Sequence, residues 1–396
     1  MIASEKIKEI AKAIHATIIA NRRHLHQHPE LSFHEFETQK FVEQQLKAIG
    51  INEFERAANT GIVALIKGKN PTKKVIALRG DMDALPIIEE NKTEYISQNI
   101  GVMHACGHDV HTSSLLGAAE ILFQLKNEFE GTIKLIFQPG EEKLPGGASL
   151  MIKENVLKNP TVNNIIGQHV MPQLPVGTVG FRGGLYMAST DELYVKVIGK
   201  GGHGAMPHLN IDPVLISAHI ITSLQQIVSR NASPIIPSVL SFGKVIANGA
   251  TNVIPNEVYM EGTFRTLDEN WRTEAHKKMK RMAEMIAESM GGKCEFEIRK
   301  GYPFLKNDIE LTSRAKKYAQ EYLGKENVVD LDIWMAAEDF SYFTQELPAC
   351  FYRLGTRNEE RGITSSVHTP TFDIDENALE IGAGLMAWIA VCELAS

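Results

Sequence analysis

The sequence predicts an α/β fold: a central mixed sheet covered by helices, plus an inserted βαββαβ domain of ferredoxin-like order. Two observations carry this. Apolar runs of strand type alternate with amphipathic helical stretches at both ends of the chain, whereas the middle reads strand, helix, strand, strand, helix, strand. The length of 396 residues agrees, because single cores stop growing at about 250–300 residues.

Ile7, Ile10, Ala11, Ile14 and Ile18 recur at helical spacing and predict one helix over 4–19; FETQKFVEQQLKA predicts a second over 36–48. Strands follow at GIVALIKG (61–68), KVIALRG (74–80), GTIKLIFQPG (131–140) and NNIIGQHV (163–170), with a helix from about His111 between the second and third. Strands alternating with helices place ligands at the carboxyl ends of the strands. The insertion comprises DELYVKVIGKG, a helix opening at Pro213, SVLSFGKVIANG, NEVYMEGTFRTL, a long helix ending before Gly291 and CEFEIRKG. VVDLDIW, ACFYRLG and a closing helix return to α/β character. The expected boundaries are therefore 1–185 and 299–396 for the larger domain and 186–298 for the insertion.

Composition narrows the classes of function. Lys and Arg number 41 against 48 Asp and Glu, a net charge of −7, with no basic block to neutralise phosphates, so nucleic acid is not an expected partner. Hydrophobic residues at 43% and charged residues at 22% are ordinary for a globular protein. Four scattered cysteines do not form a disulfide framework. The N-terminus carries charges through its apolar face, unlike a secretory leader, and LMAWIAVC reads as a short buried helix face, so no membrane partner and a cytoplasmic location are expected.

Chemistry concentrates in HACGHDVH (104–111), where three histidines, a cysteine and an aspartate occupy eight positions. Thiolate and imidazole suit zinc and its neighbours, and this density favours a metal site over histidine caps around a buried cysteine. RGDMDALP brings Asp81 and Asp83 to a strand end, suited to ligation or to orienting a ligating histidine. QPGEE ends another strand with adjacent carboxylates, Glu141 and Glu142, which repel unless a cation compensates or one holds a proton; one ligand and one general base is the economical interpretation. Together with His169 and His368, the set Cys106, His108, Glu142, His169 and His368 suffices for two metal ions sharing a bridging ligand.

RGDMDALP, HACGHDVH, QPGEE, QHV, GKGGHGAMPH, NVIPNEV, GTFRT, AAEDFSYF and HTP resemble, in that order, the N-acyl-amino-acid amidohydrolase branch of the dinuclear metallopeptidase and aminoacylase superfamily. That branch includes hippurate hydrolases, auxin-conjugate hydrolases and N-acetyl-diaminopimelate deacetylases. The resemblance spans essentially the whole chain. It implies a catalytic α/β domain and an inserted lid or dimerisation domain; the unpaired strand edge of the βαββαβ domain separately predicts a homodimer. The resemblance also implies two divalent metal ions, zinc, manganese, nickel or cobalt, with Cys106 as the bridging ligand and His108, Glu142, His169 and His368 completing the two sites. Glu141 would be the general base, Asp83 would orient a ligand, His203 would meet the developing oxyanion, and Asn252 and Arg265 would hold the carboxylate of a small N-acyl amino acid substrate. Ala336 and Ala337 depart from the family pattern, which often has glycine before AED. A metallo-dipeptidase or aminopeptidase on the same scaffold and a catalytically silent metal-binding homologue are the rival readings.

Overall fold

The computed structural model describes residues 2–396 and divides into two compact units. One comprises Met1–Tyr186, Lys306–Ile333 and Asp339–Ser396; the other comprises Met187–Leu305 and Trp334–Glu338.

The first unit is built on an eight-stranded sheet. Its spatial order is Phe54–Ala57, Gly61–Lys67, Thr132–Gln138, Val75–Asp81, Asn164–Pro175, Ala349–Arg357, Val179–Phe181 and Val328–Asp330. The four central strands, Thr132–Gln138 through Ala349–Arg357, run parallel and so end on one edge. Val75–Asp81 and Thr132–Gln138 are buried at every position, as a parallel strand covered on both faces requires. His169 does not end its strand as its sequence run suggests, since Asn164–Pro175 continues six residues further along Ala349–Arg357. Its other neighbour, Val75–Asp81, leaves the ladder at Arg79↔Gly167, which opens space beside His169.

The helices differ from the sequence expectation in three places. The predicted 4–19 helix breaks at Ile14 into Ser4–Ala13 and His15–Gln27, with the stripe Ile7, Ala11, Ile14, Ile18 and Leu25 buried across the break. The helix expected from His111 starts at His108. The closing helix, Asn377–Ala395, has 19 residues and is long and apolar enough to cross a membrane by composition, but most of it is buried inside this unit.

The second unit has a four-stranded antiparallel sheet in the order Ser238–Ile246, Glu257–Thr266, Asp191–Ile198, Lys293–Lys300. Burial alternates along Asp191–Ile198, so Leu193, Val195 and Val197 meet Ile216, Ile220, Leu224 and Met279 of the two helices while Glu192, Tyr194 and Lys196 face away. Pro213 opens one helix, and Asp212 caps it by accepting from the Val214 and Leu215 amides. Asp191 ties the sheet to the other helix through Arg272 (2.6 and 3.0 Å) and His276 (2.6 Å).

Candidate metal centre

Four side chains converge on Cys106: His108, His169, Glu142 and His368. Its Sγ lies 3.5 Å from His169 Nε2 and 3.3 Å from His368 Nε2, and His368 Nε2 is 3.1 Å from Glu142 Oε1. Two groups of potential ligand atoms share the cysteine: Cys106, His108 and His169, all buried, and Cys106, Glu142 and His368, which open toward solvent. Backbone geometry sets this spacing. Gly107 has φ of +83°, and a Cβ there would lie 2.5 Å from Val170 Cγ2, so only glycine lets Cys106 and His108 approach the His169 strand from one loop. His368 also has positive φ, +62°, and its amide donates to Ala105 O at 2.7 Å, which draws its loop onto the Cys106 segment.

The surrounding groups orient the ligands. His108 Nδ1 donates to Asp83, 2.9 Å to the backbone oxygen and 3.2 Å to Oδ1, and His169 Nδ1 donates to Val170 O at 2.7 Å. Both imidazoles therefore turn Nε2 inward, and buried His108 Nε2 has no hydrogen-bond partner among the described residues. Asp83 does more than orient one histidine. Its Oδ1 also accepts the Glu141 amide and its Oδ2 the Glu142 amide, both at 3.0 Å, and Ser32 Oγ donates to Oδ2 at 2.6 Å. Asp81, by contrast, is engaged by Arg79 and by His111 Nδ1 (2.6 Å), and His111 Nε2 accepts the Val170 amide at 2.9 Å. Asp81 thus braces the His169 strand.

Charge in the cluster calls for a cation. His368 is pushed up to about 10, first by its hydrogen bond with Cys106 and then by that with Glu142. Burial would lower His108, but the charge of Asp81 and the bond to Asp83 hold it well above the usual imidazole range. Burial and then the Glu142 charge raise the Cys106 thiol. His169 differs: burial and then the charge of Arg353 hold it well below the usual imidazole range, which keeps its Nε2 lone pair available as a donor. Thiolate, imidazole and carboxylate are a donor set for borderline divalent ions, so these residues fit a metal.

Glu141 is buried beside the cluster; its Oε1 accepts the Asp339 amide at 3.3 Å. His203, Asn252 and Arg265 belong to the second unit. His203 pairs with Val253 in a two-stranded ribbon, and the Gly204 amide donates to Asn252 O at 2.8 Å, so those two residues are neighbours. Arg265 lies on Glu257–Thr266 with Nε 3.3 Å from Thr263 Oγ1.

Several buried polar residues around the centre are not evident from sequence. Arg79 donates to Gln138 and Asp339 at 2.9 Å each, and Asp339 also accepts from Gln138 and the Ala148 amide. Glu35, fully buried, accepts from Thr60 Oγ1 at 2.6 Å and from the Gly140 amide at 2.8 Å; burial and then the charge of Asp83 push it up to about 7. An arginine inside an apolar strand is the one local signal for the first network; nothing local signals the second.

A model described as peptidase family M20/M25/M40 matches residues 77–390. The chain is 45% identical over 301 residues, 76% of its length and 80% of the relative's, to an N-acyl-L-amino acid amidohydrolase from Geobacillus stearothermophilus. It is 40% identical over 391 residues, 98% of each chain, to thermostable carboxypeptidase 2 of Saccharolobus solfataricus. Among solved structures, a Bacillus subtilis protein described as a dinuclear metal binding peptidase from the M20 family superposes with a TM-score of 0.82 at 37% identity, covering 97% of this chain and 99% of that one.

Proposed function

The chain belongs to peptidase family M20/M25/M40, and from that premise we propose that it is a metal-dependent amidohydrolase that cleaves N-acyl amino acids into a carboxylic acid and a free amino acid. The observation that carries the reading is the pair of ligand groups meeting at Cys106, with buried Glu141 beside them. Cys106, shared by the two groups, would hold two divalent ions together with His108, His169, Glu142 and His368. When bound, the ions supply Lewis acidity, polarising a carbonyl and acidifying water at neutral pH. Glu141 accepts the proton of the attacking water at its carboxylate and returns it to the leaving nitrogen, so one residue serves as base and then acid. Asp83 holds His108 and the Glu141 and Glu142 amides still while this happens. His203 serves as a donor to the oxyanion, and Asn252 and Arg265 bind the substrate carboxylate, Arg265 by a charge-assisted contact. Zinc, manganese, cobalt and nickel all suit this donor set.

The likeness to a carboxypeptidase favours a second reading with the same chemistry, hydrolysis of the amide bond before a C-terminal residue. A panel of N-acetyl-methionine, hippurate, an N-blocked dipeptide and an unblocked dipeptide, assayed with metal content measured in the same preparation, separates them. Turnover of the first two, lost on chelation and restored by added metal, is the expected result. Preference for the blocked dipeptide supports the carboxypeptidase, and full activity in metal-free protein overturns both. We further propose a homodimer in which the edge strand Ser238–Ile246, with Val239, Val245 and Ile246 exposed, pairs with a second copy. Sedimentation equilibrium showing only monomer at micromolar protein would count against it.

A further inference from the structure

Three successive backbone amides in the turn after Thr132–Gln138 point into carboxylates. Gly140 N–H donates to Glu35 Oε1 at 2.8 Å, Glu141 N–H to Asp83 Oδ1 and Glu142 N–H to Asp83 Oδ2, each at 3.0 Å. Asp83 also touches a ligand, but Glu35 does not. It sits at the N-cap position of Phe36–Ile49, but its side chain makes no cap bond and reaches Gly140 instead, 105 residues away. Thr60 Oγ1 anchors its second oxygen at 2.6 Å.

The segment around Glu35 is shaped to the same turn. Phe33 has φ of +67°, costly for an aromatic residue, and its ring fills the space beside Gly140: a Cβ there would lie 2.3 Å from Phe33 Cε1, and Gly140 itself has φ of +58°. Ser32, one residue earlier, donates to Asp83 Oδ2 at 2.6 Å. One short stretch thus braces both carboxylates that receive the turn. Two carboxylates near one another in a buried place oppose folding, so filling space does not account for Glu35; an apolar side chain would do that at lower cost.

We propose that Glu35 is a positioning residue for hydrolysis, fixing through the Gly140 amide the turn that presents Glu141 to water and Glu142 to the metal centre. This rests on the reading of Glu141 as the base. Glu141 must place one oxygen within hydrogen-bond reach of a reacting proton, and a turn freed at Gly140 lets it wander.

The test compares wild type, Glu35→Ala and Glu35→Gln as metal-saturated holoenzymes, measuring kcat and KM for N-acetyl-methionine and amide hydrogen exchange of the 138–142 segment. Gln keeps an oxygen for Gly140 and turns its amide to Thr60 Oγ1, which then accepts. At a displacement of about 1 Å, Glu35→Ala should lower kcat about 100-fold with KM within about twofold, and Glu35→Gln should restore most of it. Exchange in 138–142 should quicken in Glu35→Ala alone. Wild-type kcat and exchange in Glu35→Ala, or a Glu35→Gln enzyme as slow as Glu35→Ala, overturns the proposal. Should Glu35→Ala not fold, Thr60→Val, which removes the second anchor, carries the comparison: faster exchange and lower kcat support the clamp, and wild-type values for both overturn it. If wild type cleaves no N-acyl amino acid, the functional reading fails, and the exchange measurement decides the clamp by itself.

Discussion

Replacing Asp83 by asparagine changes one atom in a carboxylate that receives four donors. Oδ1 takes His108 Nδ1–H and the Glu141 amide; Oδ2 takes Ser32 Oγ–H and the Glu142 amide. Putting the new NH2 at Oδ1 would orphan the Glu141 amide and leave His108 Nδ1–H only the Asp83 backbone oxygen, so it settles at Oδ2, where Ser32 can turn and accept but the Glu142 amide cannot. One buried amide is left unsatisfied, at about 1–3 kcal/mol. The charge behind His108 is also lost, which weakens it as a ligand; removing such a partner costs about 10–100-fold in metal affinity. Two measurements separate these effects. Metal-free protein should melt about 2–5 °C lower from the orphaned amide. Titration of activity against buffered free zinc should show the affinity loss. A variant that melts with wild type and binds zinc within about twofold of it would refute the idea that Asp83 clamps both the turn and His108.

Glu141→Gln should retain metal while kcat falls about 10²–10⁴-fold, the share of a general base; normal turnover in metal-replete protein would remove Glu141 from that role. Lys134 is buried with Nζ on three carbonyls, Val156 and Lys158 at 2.8 Å and Pro160 at 3.0 Å. Lys134→Met should therefore cost about 3 kcal/mol, seen as a lower urea midpoint with unchanged slope, whereas an unchanged midpoint would show those carbonyls find other donors. In the second unit burial would raise Asp191, but hydrogen bonds from His276 and Arg272 outweigh it and hold the carboxyl below its ordinary 3.8. A carboxyl with a depressed folded value stabilises above its unfolded value and loses that contribution as pH falls through the folded one. The stability advantage of wild type over Asp191→Asn should thus be full at neutral pH and shrink below 3.8; a constant difference from neutral pH into that range would contradict it.

Local chemistry was the readable part of the centre. HACGHDVH sets Cys106 on a loop and His108 two residues on at the start of the following helix, and the turns after apolar strands carry Asp83, Glu141 and Glu142. Parallel strands then bring the turns after Val75–Asp81 and Thr132–Gln138 to one edge, so a pattern of strand ends anticipates a meeting point. What sequence could not show depends on distance along the chain. Glu35 carries no local signal because its partner, Gly140, is 105 residues away, and Arg79 meets Asp339 across 260. His169 read as a strand end because its apolar run stops there. Pairing with Ala349–Arg357 carries the strand on to Pro175, and that partner is also remote. The closing helix was underestimated for a related reason: small residues such as Gly382, Ala383 and Gly384 break the apolar run yet are buried in the core.

The remoteness of Ala349–Arg357 also imposes an order on biosynthesis. Asn164–Pro175 needs that strand to complete its parallel pairing, and 173 residues, including the whole of Met187–Leu305, separate the two. At about 5–20 residues per second, a nascent chain carries the half-paired strand for roughly 10–35 s. During that interval Cys106, His108, Glu142 and His169 already exist on the chain while His368 does not. Throughout that interval the ribosome-bound chain therefore lacks the partner strand of Asn164–Pro175 and one of the five proposed ligands.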